Sequence, residues 1–256
     1  MPSFAPARIS VGLVVYRTPV DALLPLFDLL VATPQVGPVL VFDNGNDAGL
    51  RLAVERRGWR YLSEGRNIGF GSGHNRLVAA LGESGCEFHL LVNPDIEWHQ
   101  NPFPALLAFL DAQPRVAAVM PDVINAAGQR QYLAKAQPTP GLLLGRRFLP
   151  RRWLQAAVAR YELQDWDFAA PRCVPVISGC FMLLRGTAFA DVGGFDERYF
   201  LYLEDYDLCR RLQAQSNEVA IVPAARVIHG HQRASYRWGW PLIWHLRSAI
   251  RYFWGW

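Results

Sequence analysis

A single lysine, Lys135, stands among the 26 cationic residues of this 256-residue chain. The others are arginines, whose planar guanidinium suits a two-pronged grip on phosphate or carboxylate. After the first apolar run, Tyr16-Arg17-Thr18-Pro19 occupies the place where a nucleotidyltransferase carries a glycine-rich phosphate loop with a lysine, which argues against that class. Cysteine is equally sparse. Cys86, Cys173, Cys180 and Cys209 form no C-x-x-C pair and have no histidine at zinc-finger spacing, so they are read as reduced, mostly buried thiols. No apolar run reaches the roughly 18 residues of a spanning helix. Met1 to Ser10 lacks a cationic stretch followed by an apolar one, so no secretory leader is expected. The expected location is the cytoplasm or the inner face of the plasma membrane. With 26 cations against 22 acids the net charge is +4, too mild to demand nucleic acid, and no nucleic-acid partner is expected.

What is present is apolar: 51% of residues are hydrophobic and 19% charged, which suits a sizeable core and excludes wholesale disorder. Short apolar runs alternate with helical patterns. Strands are expected at Ile9–Tyr16, Pro38–Phe42, Trp59–Leu62, Phe88–Val92 and Val116–Met120. Helices are expected at Pro19–Val31, Ala48–Arg57, Gly69–Leu81 and Pro102–Ala112. The alternation predicts an α/β fold, a mostly parallel sheet flanked by helices. From Asn125 to Pro171 the pattern degrades into prolines and arginines, read as an irregular insertion over a site. Strands at Val174–Ser178, Phe181–Leu184, Val219–Val222 and Arg226–Ile228 and a helix at Glu204–Gln213 complete the pattern.

Such sheets carry ligands beyond the carboxyl ends of their strands. That rule directs attention to Asp43, Arg66-Asn67 and Asn93-Pro94-Asp95. One exposed carboxylate at Asp95 suits a hard divalent ion that completes its shell with water and substrate phosphate; the same tripeptide also reads as a simple turn. Glu204, Asp205 and Asp207 place three carboxylates within four positions. Glu204 and Asp207 share a helix face and Asp205 points about 100° away. Such acids are read either as helix-start features or as a general base with an orienting neighbour. His229-Gly230-His231 ends a strand, as a plain strand end or as a metal or phosphate contact. Gly69-Phe70-Gly71-Ser72-Gly73 lets backbone approach a ligand or a second chain segment closely, but lacks the full dinucleotide fingerprint.

The order of these motifs is more informative than any one. Val41-Phe42-Asp43-Asn44, Arg66-Asn67-Ile68-Gly69-Phe70-Gly71, Leu90-Leu91-Val92-Asn93-Pro94-Asp95, Ile177-Ser178-Gly179-Cys180-Phe181-Met182, Val192-Gly193-Gly194-Phe195-Asp196-Glu197, Tyr202-Leu203-Glu204-Asp205-Tyr206-Asp207-Leu208-Cys209-Arg210-Arg211 and His229 follow one another along the chain. The set resembles the family-two inverting nucleotide-sugar glycosyltransferases, most of all the rhamnosyltransferase-like branch. The resemblance spans about residues 8 to 235. It implies a GT-A fold, a nucleotide-diphosphate sugar donor, a glycan or polyprenyl-linked acceptor, and Mg²⁺ or Mn²⁺. It assigns Asp43, Asn44, Arg66, Asn67, Gly71, Asn93 and Asp95 to the nucleotide-sugar, Ser178 and Gly179 to the acceptor side, and Asp95 with His229 to the metal. Asp205 is implied as the catalytic base, with Glu204 beside it.

The sequence departs from the family pattern at three positions. Asn93 replaces the first acid of the D-x-D-like motif, Arg17 stands where asparagine is usual, and Asn46 where serine is usual. A catalytically inactive sugar-nucleotide-binding scaffold on the same fold is the competing expectation. Residues 1–235 are expected as one domain, with a nucleotide-sugar half (1–122), the insertion (123–172) and an acceptor half (173–235). The tail, 236–256, carries Leu242, Ile243, Leu246, Ala249, Ile250 and Phe253 at helical spacing, with Trp238, Trp240, Trp244, Trp254 and Trp256 around them. It reads as an amphipathic helix, either lying in a membrane interface or docked on its own domain.

Overall fold

The computed structural model describes residues 7–82, 86–230 and 240–255; His231, Trp238, Trp256 and most of the stretch read for a leader lie outside them. Along the chain the elements are β1 (Ile9–Val15), α1 (Val20–Val31), β2 (Val36–Asp43), α2 (Ala48–Glu55), β3 (Arg60–Leu62), α3 (Phe70–Leu81), β4 (Phe88–Val92), β5 (Ile96–Glu97) and α4 (Phe103–Ala112). There follow β6 (Val116–Ile124), α5 (Pro140–Phe148), α6 (Arg151–Tyr161), β7 (Arg172–Cys173), β8 (Phe181–Arg185), α7 (Gly186–Asp191), α8 (Glu204–Ala214), β9 (Glu218–His229) and α9 (Trp240–Trp254).

The strands form one mixed sheet in the order β3-β2-β1-β4-β8-β6-β9-β5, with β7 added on β9. β1 is parallel to β2 and β4, β2 to β3, and β6 to β9. β8 runs antiparallel to both neighbours, β4 and β6, so those two share one direction. The carboxyl ends of β2, β4, β6 and β9 therefore lie at the same edge of the sheet, and β8 begins there.

Alternation fixes which side chains face which layer. Val14, Leu40 and Phe42 pack under Leu77 and Leu81 of α3. Leu13, Val15 and Val41 belong to the larger cluster that receives Leu23, Leu26, Phe27 and Leu30 of α1. Both faces are thus covered, which is why β1 and β4 read as apolar runs interrupted only by Ser10 and His89. Each fully buried Phe, such as Phe27 or Phe103, contributes about 1.5–3 kcal/mol of burial.

One polar pair sits inside this core. A Cβ on Gly12 would lie 2.9 Å from His89 Nε2 and 3.1 Å from His74 Nδ1, so the glycine leaves room for two imidazoles. His89 Nδ1 meets Ser10 Oγ at 2.9 Å, whereas both nitrogens of His74 lack a partner among the described residues. Burial pushes His89 down to about 4 and holds His74 well below the usual imidazole range.

The insertion differs from expectation: it contains two helices. Pro140 stands at the first turn of α5 behind a Thr139 cap, and Pro150 precedes α6. The prolines start these helices rather than break them, because a helix's first N–H groups have no intrahelical acceptor to lose. The expected strand at Val174–Ser178 reduces to a single bridge, Val176 to Lys135. The two short closing strands are one, β9, whose register against β6 shifts between Val222 and Arg226. The short elements β5, β7 and α7 were not expected.

Candidate functional site

Asp43 closes β2 with its side chain fully buried. Its carboxylate accepts the N–H groups of Gly45 and Asp47, each at 2.6 Å, and the Tyr61 hydroxyl at 2.8 Å. Burial first, then Asp43, pushes the Tyr61 phenol up to about 12. The carboxylate thereby shapes the loop that walls a cavity of about 240 Å³ with Arg17, Pro19 and Leu50. Arg17 takes a left-handed conformation there, φ 52°.

Asn44 joins this loop to the next. Its side-chain oxygen accepts from Ile68 N at 2.8 Å, and its amide nitrogen donates to Gly69 O at 3.3 Å. Asn67 turns back to accept from Gly69 N at 2.9 Å, and Arg66 lies exposed beside Glu64. Gly69, at φ 93°, could not be another residue, since a Cβ would fall 2.3 Å from the Phe200 carbonyl. That carbonyl accepts from Phe70 N at 3.2 Å. Gly71 packs against Phe195, where an added Cβ would lie 2.9 Å from the Phe195 Cβ and 3.1 Å from its ring.

Strand β5, which follows β4 by a short turn, meets the end of β9. Ile96 pairs with His229, and Gly230 N donates to Asp95 O at 3.0 Å. This register brings His229 Nε2 within 3.3 Å of Asp95 Oδ1. Gln131, from the insertion, brackets the histidine: its amide nitrogen donates to His229 O at 2.9 Å, and its oxygen lies 3.2 Å from Nδ1. No residue-type rule marks a glutamine in an irregular stretch, so Gln131 is illegible in the sequence.

The segment entering β8 links this pair to α8. Asn93 N donates to Cys180 O at 2.8 Å, Ser178 Oγ accepts from Cys180 N at 3.3 Å, and Gly179 N donates to Asp205 Oδ2 at 3.0 Å. Tyr202 and Leu203, at φ 71° and 65°, form a left-handed corner that throws the chain into α8. Glu204 and Asp205 thus fall in the first turn, where helix N–H groups favour negative charge. Asp205 Oδ1 accepts from Tyr206 N. Burial raises both carboxylates; for Glu204 the neighbouring Asp205 adds to it, and for Asp205 the two backbone N–H groups and Lys135 oppose it. Asp207 is otherwise engaged: buried, it binds Arg211 at 2.7 Å, which also donates to Val192 O.

The sheet edge therefore gathers Asp95, His229, Asn93, Ser178, Gly179 and Asp205 through a continuous run of contacts. Asp43 lies toward the other end of the edge, joined to the corner before α8 through Asn44, Gly69 and Phe200. Among the described residues no cluster of three or more His, Cys, Asp or Glu side chains could by itself hold a metal. Asp95 and His229 offer two convergent donors, which fits a cation that takes its other ligands from water and a diphosphate.

The family description "Glycosyltransferase like family 2" matches residues 37–247. The chain belongs to that family. It is a glycosyltransferase by that membership. A curated relative, the N-acetylglucosaminyl-diphospho-decaprenol L-rhamnosyltransferase of Mycobacterium tuberculosis, is 31% identical over 88% of this chain and 84% of its own. The rhamnosyltransferase WbbL of Escherichia coli is 25% identical over 91% and 88%. Among solved structures, GalNAc-T7 with UDP, GalNAc and Mn²⁺ superposes with a TM-score of 0.66 at 14% identity. The Pyrobaculum calidifontis mannosyltransferase PcManGT, in complex with GDP-Man and Mn²⁺, gives 0.62 at 16%. The chain covers 97% and 95% of itself in these superpositions, but only 48% and 64% of the two solved chains. They bear out the GT-A fold.

Proposed function

We propose that this glycosyltransferase moves a rhamnose-like deoxy sugar from a nucleotide-diphosphate donor to a hydroxyl of a glycan or polyprenyl-linked acceptor, with inversion, in surface polysaccharide assembly. One observation carries the reading: the Asp95–His229 pair and Asp205 are tied to one sheet edge through Asn93, Cys180 and Gly179. The two rhamnosyltransferase relatives support the choice of sugar, and the decaprenol in one relative's name supports the lipid-linked acceptor.

Asp43 and Arg17 wall the nucleoside end. Asp95 and His229 would hold Mg²⁺ or Mn²⁺, which when bound supplies positive charge against the diphosphate as it leaves. Asp205 takes the proton of the acceptor hydroxyl as that oxygen bonds to the anomeric carbon and the bond to the diphosphate breaks. The leaving diphosphate keeps the electron pair, and one displacement inverts the centre. The transition state is oxocarbenium-like, as in glycoside hydrolysis. Gly179 N–H and Tyr206 N–H keep the base ionised and aimed.

Helix α9 supports a peripheral membrane contact. Ser248, Ala249 and Tyr252 are buried against the domain, while Trp240, Ile243, Arg247, Ile250 and Trp254 form one exposed stripe. Among the described residues no helix is long and apolar enough to cross a membrane.

A panel of nucleotide-sugars with Mn²⁺, scored for thermal stabilisation and then for transfer to a lipid-linked glycan, tests the reading. A deoxy-sugar nucleotide raising the midpoint and being consumed is the expected result. Stabilisation by none of the panel sinks it.

A further inference from the structure

The chain's sole lysine is held beside the candidate base by contacts that composition does not foretell. Lys135 N donates to Val176 O at 2.8 Å and Val176 N returns to Lys135 O at 3.1 Å, three residues before Gly179, whose N–H holds Asp205. The next residue, Ala136, donates to Tyr161 O at 2.9 Å. The ammonium lies 5.3 Å from the centre of the Tyr161 ring, and the Tyr161 hydroxyl meets that of Tyr206, the residue after Asp205, at 2.6 Å. The insertion thus reaches the start of α8 through Tyr161 and brings Lys135 to that ring.

We propose that Lys135 is a positioning residue for transfer: its ammonium supplies the positive field that keeps the Asp205 carboxylate charged beside Glu204. This rests on the reading of Asp205 as the base.

The groups facing Lys135 come from every neighbouring element. Arg146 of α5 lies on the same Tyr161 ring at 5.4 Å and is bound to Glu162, just beyond α6, at 3.1 Å. Cys180 lies before β8, and Asp205 and Tyr206 lie on α8. Burial and then Arg146 push Lys135 down to about 8, opposed by Glu162, Asp205 and Cys180, so the amine is still charged at neutral pH. Arg146 is largely answered by Glu162, which leaves Lys135 as the side-chain cation acting on Asp205 against its burial. The amide N–H groups of Gly179 and Tyr206 do the rest, and neither changes with substitution of Lys135.

The experiment is the pH dependence of kcat between pH 5 and 9, at saturating donor and acceptor, for wild type, Lys135→Gln and Lys135→Arg. Removing the charge should move the acidic limb upward by about one pH unit, roughly a tenfold loss of kcat on that limb, with the donor KM within about twofold. Lys135→Arg keeps the charge and should keep the limb in place. An unmoved limb in the Gln variant, or a shift in the Arg variant as large as in the Gln variant, overturns the proposal. If the Gln variant does not fold, an acidic limb in Lys135→Arg displaced upward from wild type by about one pH unit overturns the proposal, and a limb left in place supports it. Asp205→Asn, run alongside, separates the two ideas: full turnover there removes the base itself, whereas a dead Asn variant with an unmoved Gln limb removes only the role of Lys135.

Discussion

Gly179 N–H donates to Asp205 Oδ2 at 3.0 Å, so a loop entering one strand aims a carboxylate at the start of a helix 26 residues later. The carboxylate is held by backbone, and its direction does not depend on a neighbouring side chain. Asp205→Asn keeps the shape and, through its one amide oxygen, one of the two backbone contacts, but cannot accept the acceptor's proton. Its kcat should fall by about 10²–10⁴-fold with donor affinity little changed. Steady-state kinetics together with donor titration measure both quantities.

The Asp95–His229 contact makes a different demand. Asp95→Ala and His229→Ala should each weaken Mn²⁺-dependent donor binding by roughly tenfold or more, as losses of metal-site groups do. Binding in the absence of metal should change far less. Calorimetry with and without Mn²⁺ reads the difference, and equal losses in both conditions contradict a metal role.

The buried imidazoles predict acid sensitivity. His89 titrates at about 4 in the folded chain and near 6.5 when unfolded, so the unfolded state binds more protons between those values. Stability is therefore complete above about pH 6.5 and is lost as pH falls toward 4, by about 3 kcal/mol for His89 alone. His74 acts in the same direction. Urea midpoints at pH 7.5, 6 and 5 should decline, and His89→Gln should flatten the decline.

At Gly69 the forecast is steric. Alanine would bring a methyl into the Phe200 carbonyl and strain φ 93°, costing roughly 2–4 kcal/mol. A lowered melting temperature reports it. The loss should extend to activity, because Phe200 precedes the corner that starts α8.

For α9 the two faces separate. Replacing Trp240, Ile243, Ile250 and Trp254 by serine should abolish flotation with anionic liposomes while leaving the melting temperature within a few degrees, since these side chains are exposed. Ser248→Leu should do the reverse, because Ser248 Oγ donates to Leu201 O at 2.9 Å inside the docked face. Undiminished flotation of the four-serine variant refutes the interfacial role.

The sheet's first half was legible because buried strands carry local apolar runs: Phe88–Val92 is bounded as expected, and α3 begins one residue later than expected. The motif order pointed to the residues now found at one sheet edge. What the sequence concealed depends on distance along the chain. Gln131 and Lys135 acquire their neighbours from residues 98 and 41 positions away, which no local pattern encodes. The helices α5 and α6 were hidden by a proline rule applied in the wrong direction. His74 and His89 were invisible because only the folded β1 reveals that Gly12 leaves them space.

The reversed course of β8 has an architectural consequence. Because that strand starts where its neighbours finish, the segment between β6 and β8 leaves and re-enters the sheet at the cleft's rim, and joins it in between through the short β7 on β9. Chain length can be added or removed between Ala136 and Pro171 without disturbing a ladder bond. Exchanging residues 125–177 between two members of the family should therefore transplant the choice of what is glycosylated, while the choice of what is donated stays with the host.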